Sequence, residues 1–183
     1  MNSPPVPNRG PLLRVALETE RYVAAAGWDQ PPRLFALVRT ADLLSREPGL
    51  AAQLGGHLGE RDADPFDGLT AVEQDGVPRT ASLESLLARL AWPPDVHGVA
   101  LAVERIVVPP EAERDLPGDA EEAMSALAEH RDRRDVRLLV AVLRDGGSTC
   151  LLRQRQHDRD DRVATGADIA PGLVQALQAT LLD

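Results

Sequence analysis

Four histidines, one cysteine and one acidic loop are the groups in this sequence that could bind a metal ion. No two histidines have the spacing of a zinc site on a helix or a hairpin. The loop from Glu60 to Gly68 carries several carboxylates, but Pro65 interrupts it and its spacing differs from that of a calcium-binding EF-hand. We therefore predict no metal site, a solvated loop, and surface or strand-edge positions for all four histidines, which are His57, His97, His130 and His157.

The sequence also lacks the common catalytic and cofactor-binding motifs. All 20 cationic side chains are arginine, which excludes a Walker-type phosphate lysine and the lysine that binds pyridoxal phosphate. There is no Gly-x-Ser-x-Gly motif, and Cys150 falls within a predicted strand, where a small buried apolar side chain is usual. We predict no catalytic residue and no cofactor.

The acidic composition restricts the partners of the protein. The net charge is -9 and the isoelectric point about 4.9, so the chain repels phosphate backbones and anionic lipid surfaces. A single cysteine excludes an intrachain disulfide, and neither a signal peptide nor a membrane-spanning apolar run is recognisable. We expect a cytoplasmic protein that binds another protein or itself, with no nucleic acid and no membrane as partner.

A unit of helix, tryptophan, Pro-Pro pair and apolar strand occurs twice in the chain. Trp28 precedes one Pro-Pro pair and a predicted strand at 34–38, and Trp92 precedes the other and a long strand at 96–108. Because proline cannot continue a helix and favours an extended entry, each pair ends a helix and begins a strand. Each indole either seals the junction between helix and sheet or forms a recognition surface. The candidate binding residues in these units are Trp28, Arg33, Trp92, His97 and Arg105.

The remaining patterns complete an α+β fold. Two apolar runs, 136–143 and 149–155, flank an Asp-Gly-Gly turn and predict a C-terminal β-hairpin, and Leu69 to Glu73 predicts a shorter strand. Helical spacing predicts helices at 11–26, within 41–55, at 82–91, after Asp119, and from Pro171 to the C-terminus. The helix after Asp119 carries an apolar stripe of Ala120, Ala123, Met124, Leu127 and Ala128.

These elements predict a mainly antiparallel sheet with helices packed on one face. The strand at 96–108 is apolar on both sides for much of its length, so we place it in the centre of the sheet. Residues 1–10 are rich in Pro and Asn and are predicted to be a disordered tail, leaving residues 11–183 as one domain.

Several stretches resemble a known group of proteins. They are Trp28 to Val38, Val72 to Asp75, Ala91 to Pro93 with Ala100 to Arg105, and Val140 to Gly146. On these residues the chain resembles an uncharacterised family of small actinobacterial proteins, which implies a cytoplasmic single-domain protein without an assigned activity. The element order and acidity are also similar, more loosely, to type III secretion chaperone-like domains.

Two functions remain open from the sequence. The first is a non-catalytic protein-binding or chaperone-like module that forms a homodimer. The alternative is a small-ligand binder or enzyme with a pocket near the strand at 96–108, using His97, Glu104 and Arg105. Strand alternation places His97 on the same face as Arg105 and on the opposite face from Glu104, so these three cannot converge in one layer.

Overall fold

The computed structural model describes residues 10–49, 68–77 and 82–182. Within these ranges the chain forms six α-helices and six β-strands. The helices are α1 (Gly10–Ala25), α2 (Thr40–Arg46), α3 (Leu83–Leu87), α4 (Pro110–Arg114), α5 (Ala120–Glu129) and α6 (Pro171–Thr180). The strands are β1 (Arg33–Arg39), β2 (Leu69–Glu73), β3 (Gly98–Val107), β4 (Arg134–Leu143), β5 (Ser148–Gln154) and β6 (Ala164–Gly166). In the described parts of the chain, every helix is too short or too polar to cross a bilayer.

Some sequence predictions lie outside the described residues. These are the tail at 1–9, the second part of the helix within 41–55, and the acidic loop with His57. Helix α1 begins at Gly10, one residue before the predicted start.

The six strands form one sheet in the order β2-β1-β3-β4-β5-β6, and every neighbouring pair is antiparallel. The α+β class and the antiparallel sheet are therefore confirmed, as is the central position of β3 between β1 and β4. The two tryptophan units are neighbours in the sheet, because β1 pairs with β3 in a register that places Leu34 opposite Leu101. One Pro-Pro unit thus enters the sheet from each end.

Both faces of the sheet are covered, so the prediction of helices on one face is wrong. On one face, α1 packs against Phe35, Leu37 and Leu139. On the other, α6 packs against Leu34 and Leu101, together with residues from α3. The physical reason is the sequence of β3 itself: apolar side chains on both sides of a central strand need a covering layer on each side.

The C-terminal hairpin is confirmed, with β4 and β5 joined by a turn in which Gly146 has a φ of 94°. Helix α3 is shorter than the predicted helix at 82–91, because its chain turns at Ala88 and Arg89. Helix α4 and strand β6 were not predicted. Each is too short, at five and three residues, to show a periodic pattern.

Candidate functional site

A row of charged side chains crosses the α1 face of the sheet beyond its apolar core. Strand pairing places Glu104 of β3 opposite Arg137 of β4, and Arg137 opposite Arg153 of β5. Strand alternation puts all three on the face that also carries Leu139 and Leu151. Both arginines are only 2% exposed. Buried charges must be paired, so the arrangement of partners around this row defines the site.

Helix α1 provides the main partner of Arg153. Glu20 is 1% exposed, and its two carboxylate oxygens accept hydrogen bonds from Nε and Nη2 of Arg153 at 2.5 and 2.8 Å. Two further carboxylates, Asp158 and Asp160, accept from the same guanidinium at 2.9 and 2.6 Å. Glu20 raises the pKa of Arg153, because its carboxylate stabilises the charged guanidinium. The group is therefore a permanent cation, and it joins α1 to β5 and to the turns that follow β5.

The indole of Trp28 covers the second buried arginine. The guanidinium carbon of Arg137 lies 4.4 Å from the ring centroid, and that of Arg155 lies 5.7 Å from it. The indole Nε1 donates to Asp158 at 2.9 Å, and this hydrogen bond is the largest cause of the lowered pKa of Asp158. We call Glu20, Trp28, Glu104, Arg137, Arg153 and Asp158 the Trp28 cluster. It combines cation–π contacts with charge-assisted hydrogen bonds.

The chain reversal after α1 positions Trp28. Gly27 has a φ of 86° and Asp29 a φ of 65°, which places both in the left-handed region. Glu104 holds the reversal, because its carboxylate accepts from the backbone N–H groups of Asp29 and Gln30 at 3.0 and 2.8 Å. Arg137 donates through Nη2 to Gly27 O and to Glu104, whereas its Nε and Nη1 have no hydrogen-bond partner among the residues that the structure describes. Arg155 adds a bidentate pair to Asp29 at 2.8 and 2.9 Å.

Arg33 lies at the same end of the sheet, beside the Trp28 cluster. Its Nε and Nη2 donate to Glu73 at 2.6 and 2.8 Å, and its guanidinium carbon lies 4.9 Å from the ring centroid of Tyr22. The hydrogen bonds from Arg33 lower the pKa of Glu73, and Glu73 in turn raises the pKa of Arg33. Gln30 links this pair to the reversal after α1, since its Oε1 accepts from Arg33 at 2.9 Å.

Trp92 and His97 lie at the opposite end of the sheet. The half-buried indole of Trp92 packs against the core under α6 and donates to Thr180 Oγ1 at 3.1 Å. His97 lies just before β3, with Nε2 at 3.6 Å from a carboxylate oxygen of Asp42. Arg144 holds this region together by donating to the backbone oxygens of Val96 and Trp92 at 2.8 and 3.0 Å. The indole of Trp92 thus seals a junction between a loop and a helix.

The five candidate residues do not form one site. Trp28 and Arg33 share one end of the sheet, and Trp92 and His97 share the other. Arg105 is exposed near the far end of β3, eight residues from His97, which corresponds to about 26 Å along an extended strand. A binding role for each of them stays a prediction. The sequence analysis missed Glu20, Arg137, Arg144 and Arg153. The available signal is that Arg137 and Arg153 lie within the apolar runs of β4 and β5, but this does not identify their partners.

A helical arm, residues 110–133, connects β3 to β4 and contains α4 and α5. No residue of either helix is buried. The arm carries eight acidic residues and three arginines. Asp119 caps α5 by accepting from the backbone N–H groups of Glu121 and Glu122 at 3.0 Å each, and Arg133 donates to Ala128 O at its other end. Helix α5 is therefore stabilised by its caps together with the half-buried side chains of Ala123, Ala126 and Leu127.

The exposed side of α5 presents an apolar stripe between two kinds of charge. Ala120, Met124 and Ala128 are all exposed and lie four residues apart, so they line one side of the helix. Met124 is 59% exposed. The acidic residues Asp119, Glu121 and Glu122 lie at the start of the helix. Arginines follow its end and surround an open cleft of about 550 Å³, which we call the arginine cleft. The cleft is lined by Val107, Val108, Pro109, Arg131, Asp132, Arg133, Arg134 and Gln156.

The fold and the site define a class of protein: a six-stranded antiparallel sheet between helical layers, with a charged cluster at one end and an exposed helical arm. The chain matches the profile of the PPA1309-like protein family over residues 12–182 and belongs to that conserved, uncharacterised family. Comparison with curated proteins and with solved structures gives no significant match. In the described ranges, no three His, Cys, Asp or Glu side chains are grouped so that they could hold a metal ion.

Proposed function

We propose that this protein is a non-catalytic binding module that docks a partner protein on the exposed side of α5. The observation that carries the proposal is a capped helix of ten residues that leaves Ala120, Met124 and Ala128 exposed, while its other side is only half-buried. Solvation of an apolar stripe is unfavourable, so covering Met124 would provide part of the binding free energy. An interface helix with a central methionine is also suited to adaptable packing against a partner.

The charge at the start of α5 favours a partner that presents a basic patch opposite it. Eight side chains of the arm are acidic against three arginines, and Asp119, Glu121 and Glu122 lie at the N-terminal end of the helix that carries the apolar stripe. Complementary charge around an apolar centre increases the association rate and selects among partners.

The Trp28 cluster supports this function by holding the base of the arm. The arm leaves β3 after Val107 and enters β4 at Arg134, and the pair of Glu104 and Arg137 joins these strands three residues away from each point. The arginines of the cluster are engaged by carboxylates, so the cluster supplies rigidity. A rigid base lowers the entropy cost of presenting a helix to a partner.

We infer a cytoplasmic protein of actinobacterial type with a chaperone-like or adaptor-like role. The single cysteine, the arginine-only cation set and the acidic composition support this inference.

A second candidate function is small-ligand binding in the arginine cleft, which lies at the end of the long strand β3. Arg131, Arg133 and Arg134 line it, and Val107 and Val108 provide apolar surface, so an anionic ligand would suit it. Calorimetric titration with inorganic phosphate and with a dicarboxylate tests this candidate. Binding heat with the unchanged chain that is lost in R131E/R134E would support this candidate. Absence of binding heat with both probes would count against it.

Site-specific photo-cross-linking tests the proposed function. A benzophenone amino acid replaces Met124, and a matched variant carries it at Leu182, which is 77% exposed near the opposite end of the sheet. We expect irradiation in clarified lysate of the source cells to give one defined product from position 124, identified by mass spectrometry. The product should be absent from position 182 and lost in E121R/E122R. Equal labelling from both positions, or no product from position 124, would contradict the proposal.

A further inference from the structure

We propose that the partner of α5 is a second copy of this chain, bound through an antiparallel pair of α5 helices. This inference rests on the proposed function and names its partner. It starts from symmetry: in a two-fold dimer one surface must be complementary to itself. A surface that carries opposite charges on either side of an apolar centre meets this condition.

Helix α5 has such an arrangement along its axis. The acidic groups Asp119, Glu121 and Glu122 lie at its N-terminal end. Beyond Glu129 at its C-terminal end, the arginine cleft contains three arginines and one acidic residue, Asp132, so the cleft is positive on balance. In an antiparallel pair, the acidic end of one helix faces the arginine cleft of the other, and the reverse contact forms at the same time. The dipoles of the two helices are then also opposed, which is favourable.

The apolar stripe fits the same geometry. Met124 lies close to the middle of α5, which spans residues 120–129. A two-fold axis through the pair therefore brings Met124 near Met124 of the second copy. Ala120 and Ala128 on either side are small, so two helices can approach closely along this stripe. The exposed Val107 at the edge of the arginine cleft would extend the apolar contact.

The size and charge of the surface predict a weak dimer. A helix of ten residues is about 15 Å long and gives an interface at the small end of the range for specific complexes. The net charge of -9 opposes self-association at long range. At physiological salt this repulsion is screened beyond about 8 Å, while close ion pairs across the interface persist. We therefore expect a dimer whose population depends strongly on protein concentration.

Charge-swapped variants test the inference by sedimentation velocity at several protein concentrations. E121R/E122R places arginine at both ends of the arm's contact surface, and R131E/R134E places acid at both ends. For each variant alone, the dissociation constant of the dimer should be at least about tenfold higher than for the unchanged chain. An equimolar mixture should recover dimers, because both halves of the mixed interface are complementary again. The control E18R/E84R makes the same charge change on exposed positions of α1 and α3 and should dimerise as before.

The outcomes separate this inference from the proposed function. Dimers that are lost in each variant by itself and recovered in the equimolar mixture support the antiparallel α5 pair. A chain that is monomeric at every concentration, or a dimer that persists in both variants, overturns it. In either of these cases, a charge-dependent cross-link from position 124 to a different protein would leave the proposed function standing. Far-UV circular dichroism and melting curves confirm that each variant is folded.

Discussion

Arg137 lies under the indole of Trp28, with its guanidinium carbon 4.4 Å from the ring centroid and its Nη2 bonded to Glu104 at 3.1 Å. This contact joins the chain reversal after α1 to the middle of the sheet. It explains why a half-buried tryptophan stands directly after a helix here. The ring covers a buried cation, and the cation fixes the ring.

Removal of the Trp28 ring should destabilise the protein. We expect W28A to lower the free energy of unfolding by about 2 to 4 kcal/mol, because it removes a large side chain and uncovers Arg137. W28F keeps a ring and loses the hydrogen bond to Asp158, so it should cost about 1 kcal/mol. Urea denaturation of W28A, R137M and the double variant measures the coupling, expected at about 1 kcal/mol or more. Additive effects would show that the stacking contributes nothing.

The buried pair of Glu20 and Arg153 should be the most sensitive ion pair of the described residues. E20Q should cost about 3 to 5 kcal/mol, because it leaves a desolvated guanidinium without its main partner. The double variant E20L/R153M removes both charges and should be clearly more stable than E20Q. The exposed pair of Arg46 and Asp95 is the control, and R46A should change stability little. A double variant less stable than E20Q would contradict this account.

Stability should fall in acid. The pKa values of Glu73 and Asp158 are lowered in the folded protein by their hydrogen-bonding partners. Their stabilising contribution is therefore complete above the unfolded values near pH 4 and is lost as the pH falls towards the lowered folded values. Denaturation at pH 7, 5, 4 and 3 should show the loss below pH 5, and E73Q should make the profile shallower. A profile of E73Q parallel to that of the unchanged chain would exclude a role for Glu73.

Two glycine substitutions should have opposite effects. A Cβ at Gly98 would lie 2.7 Å from Leu143 Cδ2 and would also contact the backbone oxygen of Val142. G98A should therefore disturb the pairing of β3 with β4 and cost about 2 kcal/mol. Gly172 in α6 has open space at its Cβ position, and G172A should stabilise the helix by about 0.5 to 1 kcal/mol. Equal changes of the melting temperature in G98A and G172A would contradict the close approach at Gly98.

Short-range patterns were sufficient for much of the fold. The hairpin follows from two apolar runs around Asp145 and Gly146, and the entries to β1 and β3 follow from the Pro-Pro pairs. The helix after Asp119 follows from its cap and its apolar spacing. Each of these features is set by residues within one turn or one strand of each other, where propensity and capping dominate.

The Trp28 cluster could not be predicted in the same way. An arginine within an alternating strand is normally assigned to the solvent side, and Arg153 is buried only because Glu20 neutralises it from 133 positions away. The partner of Trp28, Asp158, is similarly 130 positions distant. Pairing at this range depends on the packing of α1 across the sheet, which no local pattern encodes. The predicted apolar stripe of α5, conversely, indicates burial, but Ala123 and Leu127 are only half-buried and Ala120, Met124 and Ala128 are exposed.

Amide hydrogen exchange across residues 120–129 tests the central claim that α5 is a binding surface, which the described residues of the chain leave open. In dilute protein, the α5 amides should exchange at least about a hundredfold faster than those of Val99 to Val103 in the core, because the helix can open locally. Addition of the protein cross-linked from position 124, or a high concentration of the chain itself, should protect α5 and leave the core unchanged. Strong protection of α5 in dilute protein, or no gain on binding, would contradict the claim.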